Sequence, residues 1–403
     1  MIDRILSPEV QAFIEEHYRD DSNDLRLKYK TIFDMPANVV VDQISGRKKA
    51  KEKLPSWYAH NDIIYPPSLN LEQSSSEKTA EYKMRIVQDL DGIATSHSRL
   101  LDLTGGFGID SFFLGKTCKE LHFIEPNAHL LQIASHNHHV LGNTDCKYYN
   151  ATAEKFLNSS AHLMTFDLVY IDPSRRSRGG QKVFSLSQCD PDIIHLQNKI
   201  HQVTNRMLVK TSPLLDIKQG LKELLYVTKV YVVSVFNECK ELLFLCDKET
   251  KGEPIIEAIN LDDREYSFTF SFSGEEMAEV AYSDPMVYLY EPNASILKSG
   301  AFKTIAHRFN IYKLHPNTHL YTSDYLIDDF PGKVFKVESF VKSNAKELAY
   351  HFEGFMANII TRNYPLSVSE LRKKTRLKEG GNKFLIGCSG VTKKFLVVTS
   401  RIR

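Results

Sequence analysis

The chain has 403 residues, too long for one ordinary domain, and 42% of them are hydrophobic and 25% charged, as in globular proteins with sizeable cores. No apolar run is long enough to span a membrane, and the start of the chain lacks the basic and apolar regions of a signal peptide. Six scattered cysteines without a CxxC pair exclude the usual zinc spacings and suit reduced thiols. We therefore expect a cytoplasmic protein without a metal site or a membrane partner.

The first 50 residues are rich in helix formers, and Val10, Phe13 and Ile14 recur at helical spacing. A loop that contains Trp57 follows, and then a serine-rich stretch at 74–76 that predicts the N-terminal cap of a helix. We assign residues 1–78 to an N-terminal helical region.

From Arg99 onward, short apolar segments alternate with helical stretches. Each apolar segment predicts a buried strand, and residues 128–140 and 192–203 have helical periods. This alternation predicts an α/β domain with a mostly parallel, doubly wound sheet. The predicted parallel strands are Leu100–Leu103, Leu121–Ile124, Asp167–Ile171 and Met207–Lys210.

Two further strands, Tyr231–Val235 and Leu242–Cys246, are only six residues apart. So short a gap predicts an antiparallel hairpin, because a parallel connection needs a crossover of about a dozen residues or more. A mostly parallel, seven-stranded sheet that ends in such a hairpin distinguishes Rossmann-like class I methyltransferases from most nucleotide-binding folds. We place this predicted domain at residues 79–248.

The chain after residue 248 changes character. Tyr266–Phe272 alternates between aromatic and polar residues, which predicts a half-buried strand. From Pro331 to the C-terminus there are fifteen Lys and Arg against five Glu and no Asp, so this segment carries +10 while the whole chain carries +1. The asymmetry indicates an electrostatic function or a solvated face, and interleaved apolar residues favour a folded surface.

A glycine-rich turn follows the first predicted parallel strand. Glycines let the backbone approach a ligand that any Cβ would repel. Asp102 closes the strand, where its carboxylate can accept hydrogen bonds from a methionine ammonium or hold the turn, whereas a phosphate site would not favour a carboxylate there. The residues expected to bind a cofactor here are Asp102, Thr104, Gly105, Gly106, Phe107 and Gly108.

Glu125 ends the next strand, twenty residues after Gly105. A carboxylate at this place accepts hydrogen bonds from the ribose of an adenosine, in NAD enzymes as well as in methyltransferases. Glu125 therefore predicts a bound nucleoside without choosing between these two classes. Asp102 at the glycine turn and the antiparallel hairpin favour S-adenosylmethionine as the cofactor, and a dinucleotide-binding oxidoreductase is the alternative. Phe156 and Leu157, after the third strand, would flank the adenine.

The segment Asp172-Pro173-Ser174-Arg175-Arg176 closes the strand that ends at Ile171. Ligands of open α/β sheets bind outside the carboxyl ends of the strands. The segment resembles the Asp/Asn-Pro-Pro-aromatic motif of nucleic-acid base methyltransferases, in which the acid or amide and a proline carbonyl orient an exocyclic amine. The resemblance implies that Asp172, Pro173 and Ser174 are catalytic and that Asp172 also lies beside the cofactor.

The segment departs from that motif, because Ser174 replaces the second proline and no aromatic residue follows. Arg175 fits instead an Asp-Pro-Pro/Ala-Arg branch whose members methylate uridine C5 through a cysteine after the next strand. Lys210-Thr211-Ser212-Pro213 stands at that place here, so a covalent cysteine mechanism is not expected. Arg175 and Arg176 are predicted to form an RNA-phosphate-binding loop.

Other polar residues lie near the expected catalytic edge of the sheet. Thr79 or Lys83 would meet a methionine carboxylate, although helix capping alone explains the serines before them. Glu238 or Glu241, in the final hairpin, would accept a proton or form a simple polar turn. The cluster at residues 136–139, with its three histidines, is interpreted as a helix surface and not as a metal site.

The whole chain resembles a bacterial family of RNA methyltransferases that end in a THUMP-like domain. The resemblance implies a ferredoxin-like segment near 285–328, within linking strands at 249–330, and a THUMP-like module at 331–403. The matching stretches are residues 72–80, 102–110, 172–176, 290–293 and 371–374, with Gly380-Gly381.

Membership of this kind implies structured RNA, either tRNA or rRNA, as the substrate, and several related enzymes methylate guanosine N2. We expect Arg372, Lys373 and Lys374 to bind the RNA backbone. Two alternatives stay open: an RNA-binding protein that retains the cofactor without catalysis, which Ser174 motivates, and a methyltransferase of a protein or a small molecule.

Overall fold

The computed structural model of the chain describes residues 1–91, 98–143, 145–159, 164–175, 185–262 and 264–402. Contacts divide the chain into two units: the first comprises Met1–Val230 with Glu241–Gly252, and the second comprises Tyr231–Lys240 with Glu253–Arg403. Among the described residues, no helix is both long and apolar enough to cross a membrane, and no group of three or more His, Cys, Asp or Glu side chains is placed to hold a metal ion.

The first unit begins with a set of helices whose ends follow local capping rules. Asp21 accepts hydrogen bonds from two backbone N–H groups in the first turn of its helix, and Ser76 accepts one from Thr79. The elements are α1 (Ile2–Ile5), α2 (Pro8–Glu16), α3 (Ser22–Lys28), β1 (Thr31–Ile32), β2 (Met35–Pro36), α4 (Ala37–Lys53), α5 (Pro55–Tyr58), α6 (Ser68–Gln73) and α7 (Glu77–Gln88).

An α/β sheet follows, whose central strands are apolar runs buried on both faces, as parallel strands covered by helices require. Its elements are β3 (Arg99–Asp102), α8 (Ile109–Gly115), β4 (Glu120–Ile124), α9 (Ala128–Val140), β5 (Cys146–Tyr149), α10 (Ala153–Ser159), β6 (Leu168–Ile171), β7 (Ser174–Arg175), β8 (Cys189–Asp190), α11 (Ile193–Val203), β9 (Arg206–Thr211), α12 (Ile217–Glu223), β10 (Val227–Val235) and β11 (Glu238–Asp247).

The parallel strands run in the order β5-β4-β3-β6-β9. Strand β11 pairs antiparallel with β9, where Leu242 lies opposite Thr211. The turn between β10 and β11 is Phe236-Asn237, and both residues have positive φ, as a two-residue hairpin turn requires. The predicted α/β class, a mostly parallel sheet with an antiparallel hairpin, is therefore confirmed. The carboxyl ends of β3, β4, β6 and β9 meet at one edge of the sheet.

The N-terminal helices share one hydrophobic core with the helices that follow the glycine turn. Trp57 is fully buried, and its ring lies 5.2 Å from the ring of Phe107 and 5.7 Å from that of Phe112. The Asn137 amide in α9 bonds to both the N–H and the carbonyl of Ile64, at 2.9 and 2.8 Å. The N-terminal helical region thus packs directly on the glycine turn.

The chain after Gly252 forms further strands and helices. Its elements are β12 (Ile255–Asn260), β13 (Tyr266–Ser271), α13 (Phe272–Met277), β14 (Tyr288–Pro292), α14 (Ala294–Ser299), α15 (Thr304–Phe309), β15 (Tyr312–His315), β16 (Thr318–Ser323), β17 (Gly332–Phe340), α16 (Ala345–His351), β18 (Asn358–Arg362), α17 (Val368–Thr375), β19 (Lys383–Ser389) and β20 (Lys394–Arg401).

Strands β12 and β13 pair as an antiparallel hairpin. The last seven strands form one sheet of order β15-β16-β14-β17-β20-β19-β18, in which only β18 and β19 are parallel among the described pairs. Strands from the segments predicted as ferredoxin-like and THUMP-like contribute to this one sheet.

Candidate active site

The glycine turn after β3 packs closely on the neighbouring strand and is open elsewhere. A Cβ on Gly105 would lie 2.3 Å from the ring of Phe123, and the Gly105 N–H donates to the carbonyl of Ile124 at 2.8 Å. Gly106, at φ +56°, would place a Cβ no closer than 3.8 Å to any atom outside its chain neighbours, the nearest being the Thr104 carbonyl oxygen. A ligand can therefore approach the backbone at Gly106.

Gly108 directly precedes α8, at φ +88°, and its carbonyl contacts the His138 ring of α9. His138 Nε2 lies 2.8 Å from the Gly108 carbonyl, and Nδ1 lies 2.9 Å from the Tyr148 hydroxyl. Burial lowers the pKa of His138 to about 4, so its ring is neutral at physiological pH. The interpretation of residues 136–139 as a helix surface is wrong for Asn137 and His138, because both side chains are fully buried, Asn137 against Ile64 and His138 against the glycine turn.

Asp102 is buried at the end of β3, and protein groups bond to both of its carboxylate oxygens. Oδ1 accepts a hydrogen bond from the Thr104 N–H at 2.8 Å, and Oδ2 accepts one from the Ser111 hydroxyl. Burial raises the pKa of Asp102 to about 7, although these two hydrogen bonds oppose the shift. Of the two roles that the sequence leaves open for Asp102, these contacts favour holding the turn.

Glu125 follows β4 and joins two backbone segments. Its Oε2 accepts from the Gly106 N–H at 2.8 Å, and its Oε1 accepts from the Asn127 N–H at 2.7 Å. The residue is 7% exposed, and burial raises the pKa of its carboxyl. Because each carboxylate oxygen has two acceptor positions, Glu125 can hold the turn and still accept hydrogen bonds from a ribose.

Asp172 follows β6 and is tied to the glycine turn through Thr104. The Thr104 hydroxyl accepts a hydrogen bond from the Asp172 N–H at 2.7 Å and donates to Asp102 at 3.4 Å. The Asp172 carboxylate forms an ion pair with Lys210 of β9, and its side chain is 34% exposed, against 11% for that of Lys210. Asp102, Thr104 and Asp172 therefore connect the carboxyl ends of β3 and β6.

Asp172 is the most exposed member of a network of charged groups that comprises two lysines and three carboxylates. Lys83 of α7 is fully buried, and its Nζ lies 2.6 Å from Glu241 and 3.2 Å from Asp110. Burial opposes the charge on Lys210, but Asp172, Asp110 and Glu241 outweigh it and raise the pKa of Lys210, which stays an ammonium group. Glu241 is thus half of a buried ion pair and not part of a simple polar turn.

Asp110, in the first turn of α8, connects this network to the segment before α7. Its carboxylate accepts hydrogen bonds from the Ser75 hydroxyl at 2.8 Å and the Tyr170 hydroxyl at 2.7 Å. Burial opposes the ionisation of Asp110, but Lys83, Lys210 and the two hydroxyls outweigh it and lower its pKa. The serine-rich stretch is therefore anchored beside the helix that follows the glycine turn.

The other residues of the predicted catalytic motif differ in their exposure. Pro173 is buried, whereas Ser174 is exposed and its hydroxyl donates to the Asp190 carbonyl at 3.2 Å, in the two-stranded ribbon of β7 and β8. Arg176 and the side chain of Arg175 lie outside the described residues, so their expected role in RNA binding stays a prediction.

The basic residues expected to bind RNA lie on α17, in the second unit. A capping box between Ser367 and Glu370 starts this helix. Lys373 and Lys374 are exposed, while Arg372 is half-buried and lies 3.6 Å from a carboxylate oxygen of Glu379.

Sequence reasoning missed several residues that shape the site. In the sequence, Lys210 stands where the cysteine of a covalent mechanism would be. A lysine within an otherwise apolar strand is the signal that could have indicated a buried ion pair. The hydroxyl of Ser111 and the ring of His138 are buried partners of the glycine turn that no local pattern marks. Phe156 and Leu157 are buried on α10, and their contact with an adenine stays a prediction.

Known proteins resemble this chain over its whole length and over its C-terminal part. This chain is 31% identical to a "putative methyltransferase" from Porphyromonas gingivalis W83 whose crystal structure is known. The two structures have a TM-score of 0.84, and 98% of each chain is covered. Residues 288–331 match the profile of a ferredoxin-like domain, and residues 332–401 match that of a domain described as THUMP domain-like.

Other solved structures cover only part of the chain. A "putative methyltransferase" from Streptococcus mutans in complex with SAH is 13% identical, with a TM-score of 0.31, 41% of this chain covered and 94% of the other. An rRNA methylase from Streptococcus thermophilus is 14% identical, with a TM-score of 0.29 and coverage of 42% and 93%. None of the curated proteins matches this chain.

Proposed function

This chain belongs to a family of class I methyltransferases that carry a C-terminal THUMP-like domain, and from that membership we propose that it methylates structured RNA with S-adenosylmethionine. The observation that carries the proposal is the position of Asp172 at the carboxyl end of β6, bonded through Thr104 to the glycine turn. Hydrogen bonds through Thr104 thereby connect Asp172, which would hold the methyl acceptor, to the glycine turn, which would hold the methyl donor.

The cofactor would be held by the turn after β3 and by Glu125 after β4. The open side of Gly106 leaves room for it, and Glu125 would accept hydrogen bonds from the ribose hydroxyls. When bound, S-adenosylmethionine supplies an electrophilic methyl group. The remaining binding residues of this proposal are Asp102, Thr104, Gly105, Phe107 and Gly108.

Asp172 would orient the acceptor. Lys210 pairs with Oδ2 of Asp172, which leaves Oδ1 to accept a hydrogen bond from an exocyclic amine, and the Pro173 carbonyl would accept a second one. Two acceptors fix the direction of the nitrogen lone pair, and such positioning can supply a large part of the rate enhancement. The acceptor of this proposal is therefore a base nitrogen, guanosine N2 among the possible ones.

The RNA, either tRNA or rRNA, would contact the basic C-terminal segment. Residues 331–403 carry +10, and Arg372, Lys373 and Lys374 of α17 would neutralise backbone phosphates. Contacts of this kind position an RNA without reading its sequence, so the choice of nucleotide would fall to the residues near Asp172.

The decisive experiment is transfer of a radiolabelled methyl group to bulk RNA. RNA from a strain that lacks this protein should accept label, whereas RNA from the parent strain should not, because its sites are already methylated. Digestion of the labelled RNA to nucleosides would identify the modified base.

Three other results would contradict the proposal. Cofactor binding in isothermal titration without transfer to either RNA would favour an RNA-binding protein that retains its cofactor. Label in protein or in small molecules would identify another substrate class. Binding of NAD in place of S-adenosylmethionine would overturn the methyltransferase assignment itself.

A further inference from the structure

A groove of about 720 Å³ that is widely open to solvent, called the cavity below, lies beside α17 in the second unit. Three cations line it, Arg372, Lys373 and Arg376, against the single carboxylate of Glu379. Ser367 and Ser369, which carry hydroxyl groups, line it as well. An excess of guanidinium and ammonium groups is a lining that suits phosphate groups.

The ion pair between Arg372 and Glu379 is too weak to prevent Arg372 from binding a ligand in the cavity. Arg372 lies 3.6 Å from Glu379, and the Glu379 side chain is 82% exposed. An ion pair at this distance and exposure is weak because water screens it. The Arg372 guanidinium can therefore bond to an incoming phosphate without a large penalty.

Only part of the basic run on α17 lines the cavity. Arg372 and Arg376 are four residues apart and share one face of the helix, and Lys373 lies beside them. Lys374 is exposed but is not among the residues that line the cavity. The run Arg372-Lys373-Lys374, which the sequence marks as one basic patch, is thus divided by the helix.

Arg376 occupies a backbone position that normally selects glycine. It ends α17 in the left-handed conformation, at φ +59°, and the next residue, Leu377, is buried in the hydrophobic core of this module. A glycine would adopt this conformation with less strain, but it would remove one of the three cations. The left-handed conformation of Arg376, together with the position of its side chain in the lining of the cavity, points to a binding role.

We propose that this cavity binds backbone phosphates of the RNA substrate and that Arg376 is one of its principal contacts, a proposal that rests on the proposed RNA methyltransferase function. The cavity belongs to the segment that carries the +10 charge, which favours a polyanion over a small anion.

Fluorescence anisotropy of labelled total tRNA, titrated with the full-length protein at several salt concentrations, tests the proposal. Arg376→Gly should weaken binding about fivefold to eightfold at 0.1 M salt and flatten the log–log salt slope by roughly 0.7 to 0.9, the value for one phosphate contact. Its melting temperature should equal or exceed that of the wild type. Arg376→Asn, which also tolerates the left-handed conformation, should weaken binding similarly.

Lys346→Ala, on α16, is the matched control, because it removes one positive charge from an exposed side chain of the same basic segment outside the cavity. It should leave the affinity within about twofold and the slope unchanged. Equal losses for Arg376→Gly and Lys346→Ala would overturn the cavity assignment while leaving RNA binding intact. A wild-type protein that ignores tRNA and rRNA at low salt would instead refute the proposed function, and the cavity proposal with it.

Discussion

Replacement of Asp102 by Asn should remove a pH dependence from the stability of the first unit. The Asp102 carboxyl is 1% exposed, and burial raises its pKa to about 7 from an ordinary value of 3.8. Between about pH 4 and pH 7 the folded protein therefore holds a proton on Asp102 that the unfolded chain has released. The stabilisation that this proton provides is fully present below the unfolded pKa and is lost as the pH rises through the folded pKa.

The expected magnitude follows from about 1.4 kcal/mol per pH unit of difference in pKa. As the pH rises from 5.0 to 7.5 and Asp102 loses its proton, the free energy of unfolding of the wild type should fall by about 2.5 kcal/mol. An Asn side chain can keep the hydrogen bond from the Thr104 N–H through its oxygen and donate to the Ser111 hydroxyl through its amide. Asp102→Asn should therefore fold and lack this loss.

Urea unfolding followed by tryptophan fluorescence measures the effect. Trp57 is the single tryptophan, and it is buried against Phe107 of the glycine turn, so its emission reports the unfolding of this region. Asp145→Asn, at an exposed aspartate of the same unit, is the control and should behave as the wild type does. If the wild type and Asp102→Asn lose the same free energy over this pH range, Asp102 is ionised in the folded protein and the reasoning from burial fails.

The same variant separates the two roles that the sequence leaves open for Asp102. If Asp102 only holds the turn, Asp102→Asn should bind S-adenosylmethionine within about threefold of the wild-type affinity, because the hydrogen bond from Thr104 survives. If its charge meets the methionine ammonium, the affinity should fall by about tenfold or more, as a hydrogen bond between charged groups contributes roughly 1.5–3 kcal/mol. Isothermal titration at pH 8, where the wild-type carboxyl is ionised, distinguishes the two.

Three further predictions concern the site. Glu125→Ala should lower the affinity for S-adenosylmethionine in isothermal titration by about tenfold or more, because two backbone N–H groups and the ribose lose their acceptor; unchanged affinity would end the ribose assignment. Asp172→Ala should keep cofactor affinity while methyl transfer to RNA falls at least about 100-fold, and equal losses in both would make Asp172 a structural residue. Gly105→Ala should destabilise the first unit by roughly 1–3 kcal/mol in urea unfolding, because its Cβ would collide with Phe123; a stable variant would contradict the close packing.

Much of the fold was predictable because its patterns are local. Parallel strands covered on both faces appear in the sequence as apolar runs, and β3, β4, β6 and β9 lie within one residue of the predicted bounds at each end. Helix α9 begins and ends where its period predicts, at Ala128 and Val140. The short gap in the final hairpin excluded a crossover connection, and the structure has β11 antiparallel to β9.

The site was predictable only where a residue ends a strand. The carboxyl ends of parallel strands meet at one edge, so Asp102, Glu125 and Asp172 were expected there from their positions in the sequence alone. The residues that form ion pairs and hydrogen bonds at this edge could not be predicted in the same way. Lys83 lies 158 residues from Glu241 in the sequence, and no periodicity links them.

The sequence by itself therefore determined the α/β class, the glycine turn and the acids at the strand ends, since each depends on neighbours within a few residues. The tertiary structure alone decided that Lys210 pairs with Asp172, that His138 supports the glycine turn and that Arg376 lines a cavity while Lys374 does not. The physical reason is that such contacts depend on the order of strands and on the direction in which a helix turns each side chain. Hydrophobic periodicity specifies which face of an element is buried, but not which distant residue meets it there.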